Sequence, residues 1–308
     1  MRGGVVLLSG GVGGAKLALG LARVLPPDAL TVIANTGDDF EHLGLAISPD
    51  LDTLLYTLGG VDNPETGWGR RDETWSFMAA LAALGGATWF RLGDRDLATH
   101  IERTRRLRSG EALSAIAGDF ARRLGISARI LPMSDDPVRT RLRTDEGWLD
   151  FQDYFVRLGC RPAVRAIEYV GAASARPHPD FLSALRAASL VVVAPSNPFL
   201  SIEPILALPG VRAALAAAPV IAVSPIIAGA AVKGPTAKIM RELGPEPSAA
   251  SVAARYRDFL DLYVLDRADE AEAARCPMPC VAANTLMRSL ADREALARTV
   301  LEAARVTA

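Results

Sequence analysis

The sequence predicts an α/β fold: a doubly wound, mostly parallel Rossmann-like sheet carrying an inserted helix-plus-strand lobe. Three observations predict it. Apolar runs of strand length alternate with segments of helical spacing at the start of the chain and again from residue 180. One run, Leu190–Ala194, is apolar at every position, as a strand covered on both faces must be. The first run passes directly into Gly10-Gly11-Val12-Gly13-Gly14. That strand–glycine–helix order lets backbone approach an anion and points free N–H groups at it.

In chain order, Val5–Leu8 is the first strand and Lys16–Val24 a helix that stops before Pro26-Pro27. Leu30–Ala34 is the second strand, and Asp52–Leu58 the next helix, following Pro49. The middle changes character. Glu73–Leu84 is an Ala- and Leu-rich helix closed by Gly85-Gly86; Arg95–Leu107 and Leu113–Leu124 follow, the last ended by Gly125. Ala128–Leu131, Val138–Arg143, Trp148–Phe151 and Ala163–Val170 read as short strands, with Asp145-Glu146-Gly147 as a hairpin turn. This region, residues 61–179, is expected to form a lobe over a core built from residues 1–60 and 180–308, all within one domain. The rhythm then returns: helix Phe181–Ala188, strands Leu190–Ala194, Val220–Val223, Leu262–Leu265 and Val281–Ala282, and a closing helix Asp292–Val306.

Composition narrows the partners. The 308 residues are 50% hydrophobic and 22% charged, with a mean hydropathy of +0.20, a formal net charge of −1 and a pI near 6.3. Nothing in that balance attracts nucleic acid or an anionic membrane. No apolar run reaches the ~18 residues of a spanning helix, and the N-terminal apolar segment runs into glycines instead of a signal-cleavage pattern. A cytoplasmic protein with small-molecule partners, and neither nucleic acid nor membrane, is expected. The three cysteines make no disulfide framework. Cys276-Pro-Met-Pro-Cys280 looks like half a zinc site but has no second Cys or His pair nearby, so it reads as thiols in a reducing compartment.

Two familiar phosphate motifs fail at the glycine loop. A Walker loop ends Gly-Lys-Ser/Thr, whereas Lys16 lies between Ala15 and Leu17. The dinucleotide fingerprint, started at Gly11, ends on Lys16; started at Gly10, it puts Val12 where its second glycine belongs. The second strand ends in Asn35, where a dinucleotide site has an acid. An NAD-type oxidoreductase is disfavoured, and the loop reads as a phosphate or nucleotide site. A turn that merely packs a helix on a strand is the plain alternative.

Three other loops follow apolar strands. Asn35-Thr36-Gly37-Asp38-Asp39 and Ser48-Pro49-Asp50-Leu51-Asp52 bring four carboxylates within fifteen residues. Carboxylates beside a phosphate repel it unless a cation lies between them, and hard oxygen ligands favour Mg²⁺. Capping of a turn and a helix is the alternative for some of them. Pro195-Ser196-Asn197-Pro198 holds two hydrogen-bonding side chains on a stiff backbone; an Asn amide there can donate to and accept from a base edge. Ser224–Gly229 leads to Lys233, a cation near a helix start. In the charge-dense segment Phe90–His100, Arg91 and Arg95 either hold phosphate or pair with Asp94 and Asp96, and His100 reads as structural.

Taken together, SGGVGGAK, NTGDD, SPDLDTLLYTLGG, GWGRRDETW, LGDRDLATHIERT, APSNPFLSI and SPIIAGAAVKGP resemble the 2-phospho-L-lactate transferases of coenzyme F-420 biosynthesis, from Val5 to Lys238. The resemblance implies transfer of a phospholactyl-type group, or its phosphoenolpyruvyl or phosphoglyceryl analogue, from a guanosine diphosphate donor to the 5-deazaflavin Fo. GMP is released and Mg²⁺ is required. It also implies a homodimer. Gly11, Gly13 and Gly14 would lie against the donor phosphates, and Ser196 and Asn197 against the guanosine half, with Lys233 toward the diphosphate. Asp38, Asp39 and Asp50 would hold the metal and serve catalysis, and Asp50 and Arg91 would meet Fo. A sugar-nucleotide-binding regulator on the same fold is the rival reading.

Overall fold

The computed structural model describes residues 4–307, with side chains described as far as Ala304. Seven strands form one sheet: β1 Val5–Ser9, β2 Leu30–Ala34, β3 Arg129–Pro132, β4 Leu190–Val193, β5 Val220–Val223, β6 Leu262–Asp266 and β7 Cys280–Ala283. Every pairing is parallel, and the spatial order is β7-β6-β5-β4-β1-β2-β3. β1 is central. Its Val5–Ser9 pairs with Leu30–Ala34 on one side and its Val5–Leu8 with Leu190–Val193 on the other. Alternation along the strand feeds two separate cores. Val6 and Leu8 join Val191, Val193 and Phe181 on one face; Val5 and Leu7 join Leu190, Val192 and Leu17 on the other. Both faces are covered, which is why these strands carry almost no polar residues.

The chain winds outward from β1 through β2 to β3, then restarts on the opposite side at β4. The loops after β1 and β4 therefore diverge at the sheet's switch point, where such folds bind ligands. Helix α1 (Gly11–Val24) follows β1 and α2 (Pro49–Leu58) follows β2 and a short hairpin, Phe40–His42 with Leu45–Ile47. Further on come α3 (Ser76–Ala83) and α4 (Asp94–Arg108). Strand Arg139–Thr144 pairs antiparallel with Gly147–Asp150 and with Val164–Val170, making a separate three-stranded sheet. A small cluster of Ile47, Met78 and Leu92, flanked by Phe40, Trp75 and Phe90, ties α3 to the hairpin.

Three differences from the sequence reading bear on the site, while the helix expected at Glu73–Leu84 only starts later, at Ser76. The strand expected at Ala128–Leu131 belongs to the central sheet, as β3 beside β2, and Ala117 and Ala121 of helix Leu113–Arg123 share a core with Ala128 and Ile130 of this edge. The span 61–179 thus leaves the sheet, returns to it and leaves again. Apolar content cannot separate an edge strand of the main sheet from a strand of the lobe. α1 starts at Gly11, so most of the glycine loop is the helix's first turn. α2 starts at Pro49, which places Asp50 and Asp52 in its first turn, where negative charge suits the helix dipole. Among the described residues no helix is long and apolar enough to cross a membrane.

Candidate active site

The carboxyl ends of the strands open into a cavity of about 650 Å³, within the range of small-molecule sites. Its floor comes from loops at the switch point. Gly11 has φ +63°, a left-handed conformation that suits glycine, and this aims its N–H at Asp50 Oδ1, 2.6 Å away. A Cβ on Gly13 would lie 2.5 Å from the Pro195 carbonyl oxygen, so the loops after β1 and β4 touch only because that side chain is absent. Ser196 Oγ donates to Gly10 O (2.7 Å) and accepts from Gly10 N–H (3.3 Å), which locks the two loops together.

Beside this clamp lies a buried carboxylate network. Asn35 Nδ2 donates to Asp50 Oδ2 (2.9 Å) and Asp38 Oδ1 (3.3 Å), while Asp38 Oδ2 accepts from the Asp50 N–H (3.0 Å). Burial, then the neighbouring Asp50 and Asp39 charges, push the Asp38 carboxyl well above its usual range. Burial raises Asp50 to about 6 against the hydrogen bonds from Asn35 and Gly11. Two carboxylates held this close and this dry are relieved by a cation between or beside them. Among the described residues no group of three or more His, Cys, Asp or Glu forms a complete cage. Asp38 and Asp50 are hard oxygen donors lining the cavity, and Mg²⁺ commonly takes one or two carboxylates and completes its shell with water and substrate phosphate. The donor set fits that ion.

The other candidates fall as follows. Gly11, Gly13, Ser196, Asn197, Arg91 and Lys233 line the cavity with Asp38 and Asp50. Gly14 does not; it packs against Ser9 and Ser196 beneath the floor, and its lack of a side chain serves that packing. Asp39 also turns away. It accepts from Ser48 Oγ (3.0 Å) and faces Arg139 and Arg103, with burial raising it to about 7, so it backs the pair and does not join it. Asn197 spends its carbonyl oxygen capping Phe199 and Leu200 N–H groups at 2.9 and 3.1 Å, leaving only its NH₂ as a donor for the cavity. The Ser196 hydroxyl is likewise committed to Gly10, so both side chains shape the site more than a free pair would. Arg91 stands on the lobe side, its guanidinium 4.1 Å from the centre of the Trp75 ring. Arg95 does not line the cavity; it lies 3.9 Å from Asp72.

The profile of the family described as 2-phospho-L-lactate transferase CofD matches residues 5–300. This chain belongs to the 2-phospho-L-lactate transferase family. It is 45% identical over 309 residues to the phosphoenolpyruvate transferase of Kitasatospora aureofaciens, covering 96% of each chain. It is 41% identical over 302 residues to the 2-phospho-L-lactate transferase of Methanosarcina mazei, covering 97% of this chain and 100% of that one. A crystal structure of a UPF0052 family protein from Bacillus halodurans matches with a TM-score of 0.57 over 96% of this chain and 90% of that one. At 14% identity, that likeness speaks for the fold alone.

The transferase's cavity also holds residues that the sequence reading passed over. Asn35 entered only as the acid that was missing, yet it bridges the carboxylate pair. Its Oδ1 accepts from Gly37 N–H (2.9 Å), which fixes the amide's orientation. Phe151 and Phe155 stack at 5.4 Å on the lobe wall, where a π-helical turn, Asp153–Arg157, presents Phe155 and Val156 to the cavity. His100 is buried between two acids, its Nε2 3.2 Å from Asp96 and its Nδ1 3.6 Å from Asp52, and the Tyr56 hydroxyl donates to Asp96 (2.6 Å). That environment agrees with a positioning part, although His100, Asp96 and Tyr56 all reach the cavity wall.

Proposed function

We propose that this transferase moves a phosphorylated three-carbon acid, of the 2-phospholactyl or phosphoenolpyruvyl kind, from a guanosine diphosphate donor to the deazaflavin Fo, with Mg²⁺. The observation that carries the reading is one cavity with a glycine loop and a buried carboxylate pair on its floor and an aromatic, arginine-bearing wall opposite. A charged diphosphate suits the floor, and a flat heteroaromatic acceptor suits the wall. Relatives support the three-carbon group, since their names divide between phosphoenolpyruvate and 2-phospho-L-lactate transferases at similar identity.

In this reading Gly11 and Gly13 let the diphosphate approach the loop, and Lys233 meets it from the side. Asn197 donates to the guanosine half. Asp38 and Asp50 hold the metal, with Asn35 orienting both and Asp39 behind them. Arg91, held against Trp75, steadies the acceptor, whose hydroxyl is brought toward the phosphorus that carries the three-carbon group. A new P–O bond forms to that hydroxyl, the P–O bond to GMP breaks, and the hydroxyl proton passes to a carboxylate of the floor. Mg²⁺ would neutralise charge on the diphosphate and on the departing GMP. Positioning then supplies most of the acceleration, as expected where the protein adds no covalent step. A homodimer belongs to the same proposal, and light scattering on the purified protein tests it.

The test is a transfer assay with purified protein, Mg²⁺, Fo and, in turn, the phospholactyl, phosphoenolpyruvyl and phosphoglyceryl guanosine diphosphate donors, read by mass spectrometry. GMP with an extended deazaflavin from one donor, dependent on Mg²⁺, identifies the substrate. No product from any donor, with tight binding of a UDP-sugar, would move the assignment to a regulator.

A further inference from the structure

The chain contains 31 arginines and only three lysines: Lys16, Lys233 and Lys238. Where Arg serves almost every cationic position, the places that hold Lys are informative, because a compact ammonium offers a point charge with three donors in place of a planar fork. Lys238 is accounted for by Glu242, 2.5 Å away. Lys16 and Lys233 both line the cavity, and among the described residues neither pairs with a carboxylate. Lys16 donates to Met287 O (3.0 Å) and Lys233 to Thr66 O (3.2 Å). One neutral carbonyl apiece leaves donors on each ammonium unused.

A third cation is close by. Burial, then the charges of Arg293 and Lys233, lower the Lys16 pKa, so both cations act on the Lys16 ammonium. Arg293 Nε is buried without a hydrogen-bond partner. Several other buried or half-buried arginines have carboxylate partners: Arg103 has Asp52, Arg106 has Glu111 and Asp119, and Arg212 has Asp258 and Glu203. Like charges gathered without a counter-charge at a cavity wall are a standing cost unless an anion joins them.

We propose that Lys16 and Lys233 form an anion subsite, separate from the Asp38–Asp50 pair, in which Lys16 is the principal ligand of a phosphate-type or carboxylate oxyanion. It rests on the nucleotide reading only for the origin of that anion, which is either a phosphate of the nucleotide or the carboxylate of the three-carbon acid. Lys16 sits on α1 just past the loop that admits the diphosphate, so a single substrate can engage both places.

Calorimetric titration of the wild type, K16M and K16R with pyrophosphate, GMP, GDP and phosphoenolpyruvate tests it. K16M is expected to lose about ten- to a hundredfold in affinity for pyrophosphate and GDP, the scale of a charge-assisted hydrogen bond, and K16R to recover part of it. A loss extending to GMP assigns the nucleotide's own phosphate. A loss seen with phosphoenolpyruvate and not with GDP assigns the three-carbon carboxylate. Lys16-dependent pyrophosphate binding that guanosine does not improve keeps the subsite and removes the guanine reading. Wild-type affinity of a folded K16M for all four anions overturns the proposal, as does a wild type that binds none. Should K16M not fold, K16Q, which keeps a polar side chain without the charge, carries the same test, and unchanged binding there overturns the proposal.

Discussion

The cavity has two unlike walls. On the sheet side the polar groups of the floor are tied to one another: Gly11 to Asp50, Asn35 to both Asp38 and Asp50, and Ser196 to Gly10. On the lobe side Trp68, Phe155 and Val156 are 44%, 39% and 37% exposed, and Arg91 leans on a ring with no carboxylate partner among the described residues. The first wall is preorganised and selects charge. The second offers apolar area that an incoming flat molecule would cover. The contrast suits a two-substrate transferase, because charge neutralisation demands fixed geometry whereas recognition of an aromatic acceptor chiefly needs surface.

The two walls are joined by a buried ion pair. Arg103 of α4 is 1% exposed and meets Asp52 of α2 with two nitrogens, one of them at 3.0 Å. Removing one partner strands a buried charge beside the carboxylate floor. Arg103→Leu is therefore expected to destabilise the fold by about 3–5 kcal/mol, read from urea unfolding. An unchanged midpoint would mean that the walls are not coupled there. Next in size is Asp50→Asn, which keeps the shape and removes the charge. We expect transfer to fall about 10²–10³-fold with the melting temperature preserved. Near-normal turnover in this variant would make the sheet wall a scaffold without chemistry.

The sheet wall was largely legible in the sequence, and the lobe wall was not. Strand–glycine–helix order and the aspartates after β2 are local patterns, and the fold brings their loops to the same end of neighbouring strands. What local pattern could not say is which polar atoms are already used. Asp39 sits next to Asp38 in the chain, yet a tight turn sends it to Ser48 and away from the cavity. Asn35 looked like an absence because its role depends on Asp50, fifteen residues on. On the lobe side Arg91 was legible, but Trp68, Trp89 and Phe155 come from distant stretches with no shared spacing, and only the folded lobe assembles them. The sheet membership of β3 was hidden for the same reason, since its partner β2 lies almost a hundred residues earlier.

Smaller changes probe the lobe wall alone. Arg91→Ala removes the stacked guanidinium from an exposed position. The expected result is a KM for the acceptor raised about tenfold, with nucleotide affinity unchanged. A kcat loss at constant KM would instead place Arg91 with the reacting atoms. The gentlest test is His42, which is 6% exposed and packs edge-on to Trp89 at 5.0 Å and Phe90 at 5.7 Å. Burial lowers its pKa below the ordinary imidazole value of 6.5, so the unfolded chain takes up a proton that the folded one resists. Its contribution is complete above 6.5 and is lost as pH falls below that value. Between pH 8 and 5.5 the wild type should lose about 2 °C of melting temperature that His42→Phe does not lose. Because this ring packs on Trp89 and the substitution leaves the sheet wall's carboxylates unaltered, nucleotide affinity should follow the same pH course in both proteins. Parallel melting curves across that range would show that the lobe's aromatic cluster tolerates a charge, and with it water, more readily than its packing implies.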